Sequence, residues 1–166
     1  MKRDFVKPLV IMTPKSLLRA EFASSPASEF TKGKFEEILG SPKCGPPDKI
    51  KRVIFCSGKV YYDVLNYREK NEIKDAAIIR VEQLYPLAES RLRAMVKPFP
   101  KTAKLVWCQE ESQNMGAWSF MEPRLRAMFK QEIGYAGRGA SASPAVGSLA
   151  RHKREQAQLV KDAFSI

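Results

Sequence analysis

Four short apolar runs alternate with stretches whose apolar residues recur at helical spacing. The runs are RVIFC at 52–56, AAIIRV at 76–81, KLVWC at 104–108 and the weaker IGYAG at 133–137. After the first, KVYYDVLNYREKNE places Tyr61, Val64, Leu65 and Arg68 on one helical face, with the arginine toward the end where a helix dipole favours positive charge. After the second, LAESRLRAMV groups Leu92, Met95 and Val96, and Pro98 and Pro100 stop that helix. The third leads into AWSFMEPRLRAMFKQE, whose stripe is Trp118, Met121, Leu125, Met128 and Phe129. Pro123 is tolerated near a helix start or at a kink, so this helix is expected to begin later than its stripe. The fourth precedes a last helix, GSLARHKREQAQLVKDAF, in which Leu149, Leu159, Val160, Ala163 and Phe164 are available for packing.

Apolar runs alternating with amphipathic helices are the pattern of βαβ units, with a mostly parallel sheet covered on both faces. The expected fold class is therefore α/β, an open three-layer sandwich. The first fifty residues differ. VKPLVIMTPKSLLR at 6–19 predicts one extra strand and a turn, and the polar, Pro/Gly-rich ASSPASEFTKGKFEEILGSPKCGPPDK reads as a connecting arm. Hence the expected organisation is a strand and arm over 1–50 and an α/β domain over 51–166.

Length and composition narrow this further. A chain of 166 residues, 44% of them hydrophobic, is about one domain and can bury a substantial core. No apolar run reaches the roughly 18 residues a membrane span requires. The N-terminal MKRDFVKPLVIMTPK has basic residues before a short apolar run, but no small-residue cleavage site follows, so no signal peptide is expected. Cys44, Cys56 and Cys108 are odd in number and widely spaced, neither a disulfide framework nor a metal knuckle, which suits a soluble protein of a reducing compartment. The net charge of +11 has two readings. Either the chain meets an acidic partner, or it is one piece of a larger protein whose other parts carry the acids.

The stretch GYAGRGASASPAVGSLARHKREQ, residues 134–156, raises the question of a ligand. Its glycines at 134, 137 and 139 are not spaced as a dinucleotide fingerprint, and Gly58-Lys59 lacks the remainder of a P-loop. One histidine, His152, and no clustered cysteines leave no metal set, and His152 reads as a helix-surface or interface residue rather than a base. No G-x-S-x-G element is present. Glu110-Glu111 follows the third run, at the strand end where open α/β sheets place functional groups; adjacent carboxylates there could form a site, but the pair reads first as a solvated loop.

For the glycine-arginine stretch two readings stay open. As an anion or effector site, free backbone amides and a helix N-terminus would face the ligand, with Ser141 in the loop and Arg138, Arg151, Lys153 and Arg154 supplying charge, Arg138 best placed for a bidentate phosphate contact. As a corner, the glycines would supply positive φ, Ser141 and Ser143 would cap, and Pro144 would stiffen the turn.

Several peptides in fixed order carry a resemblance. KPLVIMTPKSLLR, CSGKVYYDV, IIRVEQLYP, VWCQEESQNMGAW, YAGRGASASPAVGS and HKREQAQLVKDAF, spanning Lys7 to Phe164, resemble the C-terminal domain of 2-oxoglutarate dehydrogenase, the thiamin-diphosphate-dependent decarboxylating component of its complex. Two departures are visible. LLRAEFASS lacks the histidine and proline that usually follow the arginine, and Ser112-Gln113 stands where a proline and a different polar residue are expected.

The resemblance implies a mostly parallel five-stranded sheet of the transketolase C-terminal type, with roles in dimer contact and support of the active-site region, and in some members an effector site for acyl-CoA or nucleotide. It implies a parent enzyme that decarboxylates 2-oxoglutarate on thiamin diphosphate with magnesium and succinylates the lipoyl group of a succinyltransferase. That enzyme would be a homodimer, working beside a dihydrolipoamide dehydrogenase in a bacterial cytoplasm or mitochondrial matrix. The cofactor would sit on two other domains. The Gly-Asp-Gly of the diphosphate domain is not found in this sequence, so no catalytic residue is assigned and the chain alone is expected to be inactive. A second reading is a free-standing basic module for nucleic acid or an acyl-CoA-like or nucleotide anion, with Trp107, Trp118 and the Tyr61-Tyr62 pair as stacking groups.

Overall fold

A computed structural model describes residues 4–40 and 44–166. The four apolar runs are all strands: β2 (Arg52–Cys56), β3 (Ala76–Val81), β4 (Lys104–Ser112) and β5 (Ile133–Arg138). They follow a short helix α1 (Ala27–Lys32) and a short strand β1 (Ile38–Gly40). Between and after them run α2 (Val60–Lys70), α3 (Glu89–Val96), α4 (Trp118–Phe129) and α5 (Leu149–Ser165). The sheet order is β1-β3-β2-β4-β5, parallel throughout except for β1.

Side-chain alternation explains why the runs are apolar from end to end. Along β2, Val53 and Phe55 point into one layer, where Ala77, Ile79, Leu105 and Trp107 of the neighbouring strands meet Leu92 of α3 and Met121, Leu125 and Met128 of α4. Ile54 and Cys56 point the other way, to Ile78, Val106, Cys108 and Ala136, covered by Val60, Tyr61 and Val64 of α2 and Leu159, Val160 and Ala163 of α5. Both faces lose their apolar surface to helices, so neither set of positions can be polar. This is the expected three-layer α/β sandwich.

The arm departs from expectation. Residues 5–14 form neither helix nor strand, and Val6, Leu9, Val10, Ile11 and Met12 are all exposed. The fifth strand is instead Ile38–Gly40, inside the stretch read as a polar excursion. It pairs antiparallel with β3, Ile38 opposite Val81 and Gly40 opposite Ile79, and Ile38 is fully buried. A strand needs a partner edge as well as an apolar sequence, and residues 38–40 take the edge of β3, whereas residues 6–12 pair with no strand of the described structure. Gly40 also suits its place, because a Cβ there would lie 3.1 Å from the Met95 side chain.

Two helix details also differ. α4 begins at Trp118, before Pro123, which stands in the helix interior. In α5, Leu149 is exposed and packs on nothing central, while Leu159, Val160 and Ala163 are buried as expected.

Candidate functional site at the carboxyl edge of the sheet

In this sheet β2→β3 runs to one side and β3→β4 crosses to the other, so the topological switch lies between β2 and β4, where α/β sheets hold ligands. Ser57-Gly58 follows β2 there, and Gln109, Glu110 and Glu111 end β4. Gln109 is buried, and every bonding direction of its amide is used. Its oxygen accepts from Trp107 Nε1 and from the Trp118 backbone N–H, both at 2.9 Å, and its nitrogen donates to Met115 O at 2.8 Å and Ser112 O at 3.1 Å. It ties β4 to the start of α4 around Gly116, whose φ of +66° needs a residue without Cβ.

Glu110 and Glu111 divide their roles. Glu110 pairs with Lys59 at 2.8 Å, and Lys59 reaches Asp63 at 3.5 Å. Partial burial pulls the Lys59 pKa down, but the bond to Glu110 and the attraction of Glu110 and Asp63 outweigh it, so the value is raised. Glu111 is exposed and borders a cavity of about 380 Å³ shared with Ser57, Tyr85 and Phe120.

Arg138, at the end of β5, is engaged on all sides. Its Nε donates to Glu155 Oε2 at 3.0 Å, Nη1 to the Glu110 carbonyl, and Nη2 to Gln156 Oε1 at 3.0 Å. Nη2 also lies 3.3 Å from His152 Nδ1, a contact that uses the ring nitrogen's lone pair. Arg151 Nε holds the second oxygen of Glu155 at 2.6 Å. The Arg151 bond, opposed by some desolvation and reinforced by Arg138, lowers the Glu155 pKa. Gln156 continues the chain of bonds by donating to Asp63 on α2 at 2.9 Å.

The five residues singled out for an anion are thus only partly brought together. Arg138, Ser141 and Arg151 border one cavity of about 330 Å³, but Glu155 and Asp162 border it too. Lys153 and Arg154 are exposed on α5 and do not line it. The loop's corner chemistry also differs from expectation. Ser148, not Ser141 or Ser143, caps α5, accepting from the Arg151 backbone N–H at 3.4 Å. Ser141 is clamped by Asn114, whose amide exchanges two 3.0 Å bonds with its backbone. None of the glycines at 134–147 has positive φ. Gly137 is needed for another reason: the Tyr135 hydroxyl, donating to Arg138 O at 2.8 Å, would lie 2.4 Å from a Cβ. Burial pushes the Tyr135 hydroxyl up to about 12.

The stacking groups of the basic-module reading are occupied by the fold. Trp107 is 1% exposed and Tyr61 8%, and Arg80 lies over the Tyr61 ring at 4.6 Å. Among the described residues no three His, Cys, Asp or Glu side chains are grouped to hold a metal ion. No helix among them is long and apolar enough to cross a membrane.

Comparison with known proteins agrees with the geometry. The family model described as 2-oxoglutarate dehydrogenase C-terminal matches residues 24–164. The 2-oxoglutarate dehydrogenase E1 component of Cupriavidus necator is 50% identical over 99% of this chain, and that of Haemophilus influenzae 44% over 98%. In each case the chain spans 18% of the relative's length. Among solved structures, a chain titled split gene transketolase, inactive beta4 tetramer, superposes with a TM-score of 0.56 at 16% identity, covering 80% of this chain and 42% of that one, a likeness of fold. With the matching peptides, the five-stranded sheet and a family model covering most of its length, the chain belongs to the 2-oxoglutarate dehydrogenase C-terminal family.

Proposed function

We propose that this chain serves as the C-terminal domain of a 2-oxoglutarate dehydrogenase E1 component, holding the enzyme's architecture rather than performing its chemistry. The observation that carries this is half-identity to the Cupriavidus necator E1 component along nearly the whole chain. In the whole enzyme, thiamin diphosphate with magnesium would supply the carbanion chemistry that decarboxylates 2-oxoglutarate, on domains other than this one. The succinyl group would pass to the lipoyl group of the succinyltransferase, and dihydrolipoamide dehydrogenase would complete the cycle. The organisms of the relatives favour a bacterial cytoplasm as the setting.

This chain's own contribution is rigidity. The bonds from Arg138 to Glu155 and to Gln156, the bond from Gln156 to Asp63, and the Lys59–Glu110 pair lock α2, α5 and the carboxyl ends of β4 and β5 into one unit. The glycine-arginine loop is a corner in this reading, since its principal cation is already matched by a carboxylate. An effector anion would have to displace Glu155 from Arg138 and Arg151. The exposed apolar arm at 5–12 supports docking onto the rest of such an enzyme, or onto its dimer partner.

A chimera tests the assignment: this chain in place of the corresponding C-terminal segment of the Cupriavidus necator E1 component, assayed for 2-oxoglutarate decarboxylation. Activity within about tenfold of the parent is expected, and none from the chain alone. A chimera that folds and dimerises like its parent but does not turn over would overturn the proposal.

A further inference from the structure

A cluster of cations with no carboxylate partner lies at the other end of the sheet. Between the carboxyl ends of α3 and α4 is a cavity of about 670 Å³, within the range of small-molecule sites. Its floor is apolar: Phe99, Leu105, Met128 and Phe129 line it, and Leu105 and Met128 belong to the core beneath. Arg93, Lys97, Lys101 and Lys130 line it as well, all exposed, and no aspartate or glutamate does. None of the four takes part in the ion pairs seen among the described residues.

Helix ends account for part of this charge. Lys97 and Lys130 are the C-cap residues of α3 and α4, where a cation is favoured. Lys101 caps nothing, and Arg93 is held at the rim by its bond to the Met128 carbonyl, which leaves its charge unmatched. An apolar floor under a cationic rim that holds no carboxylate is complementary to one kind of ligand. A neutral apolar molecule would gain from the floor alone, and a small inorganic anion from the rim alone.

We propose that this cavity binds a small amphipathic anion, an apolar chain or ring bearing a terminal anionic group, with its body on Phe99 and Phe129 and its head among Lys97, Lys101 and Lys130. The site is separate from the Arg138 loop and does not depend on the proposed enzyme role. Sodium decanoate is the probe, with decyl maltoside and decyltrimethylammonium as neutral and cationic comparators, titrated into the purified chain by calorimetry below the micelle concentration. Decanoate is expected to bind with one site per chain, more tightly than either comparator. Binding should weaken about tenfold in the Lys97→Glu, Lys101→Glu double variant and also on raising salt. These side chains are exposed, and an unchanged circular dichroism spectrum would show that the variant is folded. Independently, the Phe99→Asp variant should lose the decanoate signal while an Arg138→Gln control keeps it. Equal binding of the neutral comparator, binding undiminished in the double variant, loss in the Arg138→Gln control, or no binding of decanoate would each overturn the proposal.

Discussion

Arg138 and Glu155 form an ion pair 3.0 Å long, joining the end of β5 to α5 with only 15% of the arginine side chain exposed. The same arginine also bonds the Glu110 carbonyl and Gln156, so its loss would strand several groups at once. Replacing Arg138 by alanine is expected to lower stability by about 2–3 kcal/mol, as for a largely desolvated, multiply bonded cation. Urea unfolding followed by circular dichroism measures it. A change below about 0.5 kcal/mol would mean that the arginine is not a structural strut.

The same network sets a pH window. The Glu155 pKa is lowered in the folded chain, so the stabilisation is complete above the ordinary glutamate value of about 4.3 and is lost as pH falls through the lowered value. The Lys59 pKa is raised, so its share is complete below about 10.4 and is lost as pH rises through the raised value. The urea midpoint should therefore be sensitive on both flanks, and Glu155→Gln should flatten only the acid flank. An acid flank of unchanged steepness in that variant would remove Glu155 from the account.

Gln109 carries a heavier load than its residue type suggests. Truncation to alanine leaves the indole N–H of buried Trp107 and the first N–H of α4 without their acceptor, at a cost of about 2–3 kcal/mol. Glutamate keeps the acceptor and loses the donor to Met115 and Ser112, so it should also destabilise while leaving the Trp107 environment closer to native. Tryptophan fluorescence distinguishes the two. Identical native spectra for both variants would count against the assigned bonds.

Burial also sorts the thiols. Cys56 and Cys108 face each other across β2 and β4, both buried. Desolvation raises the Cys56 pKa well above its ordinary value and pushes Cys108 up to about 12. A thiol-specific disulfide reagent at pH 8 should react promptly only with the partly exposed Cys44, and with all three cysteines after denaturation. Prompt reaction at Cys56 or Cys108 in the native state would contradict the packing of the α2–α5 layer.

These residues also show what a sequence can and cannot reveal. The parallel strands were legible because β2, β3 and β4 bury both faces, which forces unbroken apolar runs. The three-residue β1 was not, since Ile38 and Leu39 are only a two-residue apolar step between glutamates and a glycine, and they become a strand only through the open edge of β3. The site divided in the same way. Arg138 could be singled out by its glycine-rich setting, but its partner Glu155 lies on another element and is one of many acids. Gln109 gave no local signal, because its bonds depend on a loop that returns to it only in the folded chain. The cationic rim was hidden within a general excess of positive charge: Arg93, Lys97, Lys101 and Lys130 come from two helices and a turn that the fold brings together.

The account's central claim is that this chain works as one domain of a much larger dehydrogenase. The measurement that tests it most directly is the mass of the native polypeptide containing VWCQEESQNMGAW, isolated with an antibody from source cells and identified by its remaining peptides. The account predicts a polypeptide several times the 18.8 kDa of this chain, whose other peptides match the remainder of a 2-oxoglutarate dehydrogenase E1 component. A polypeptide of 18.8 kDa with no such peptides would contradict it.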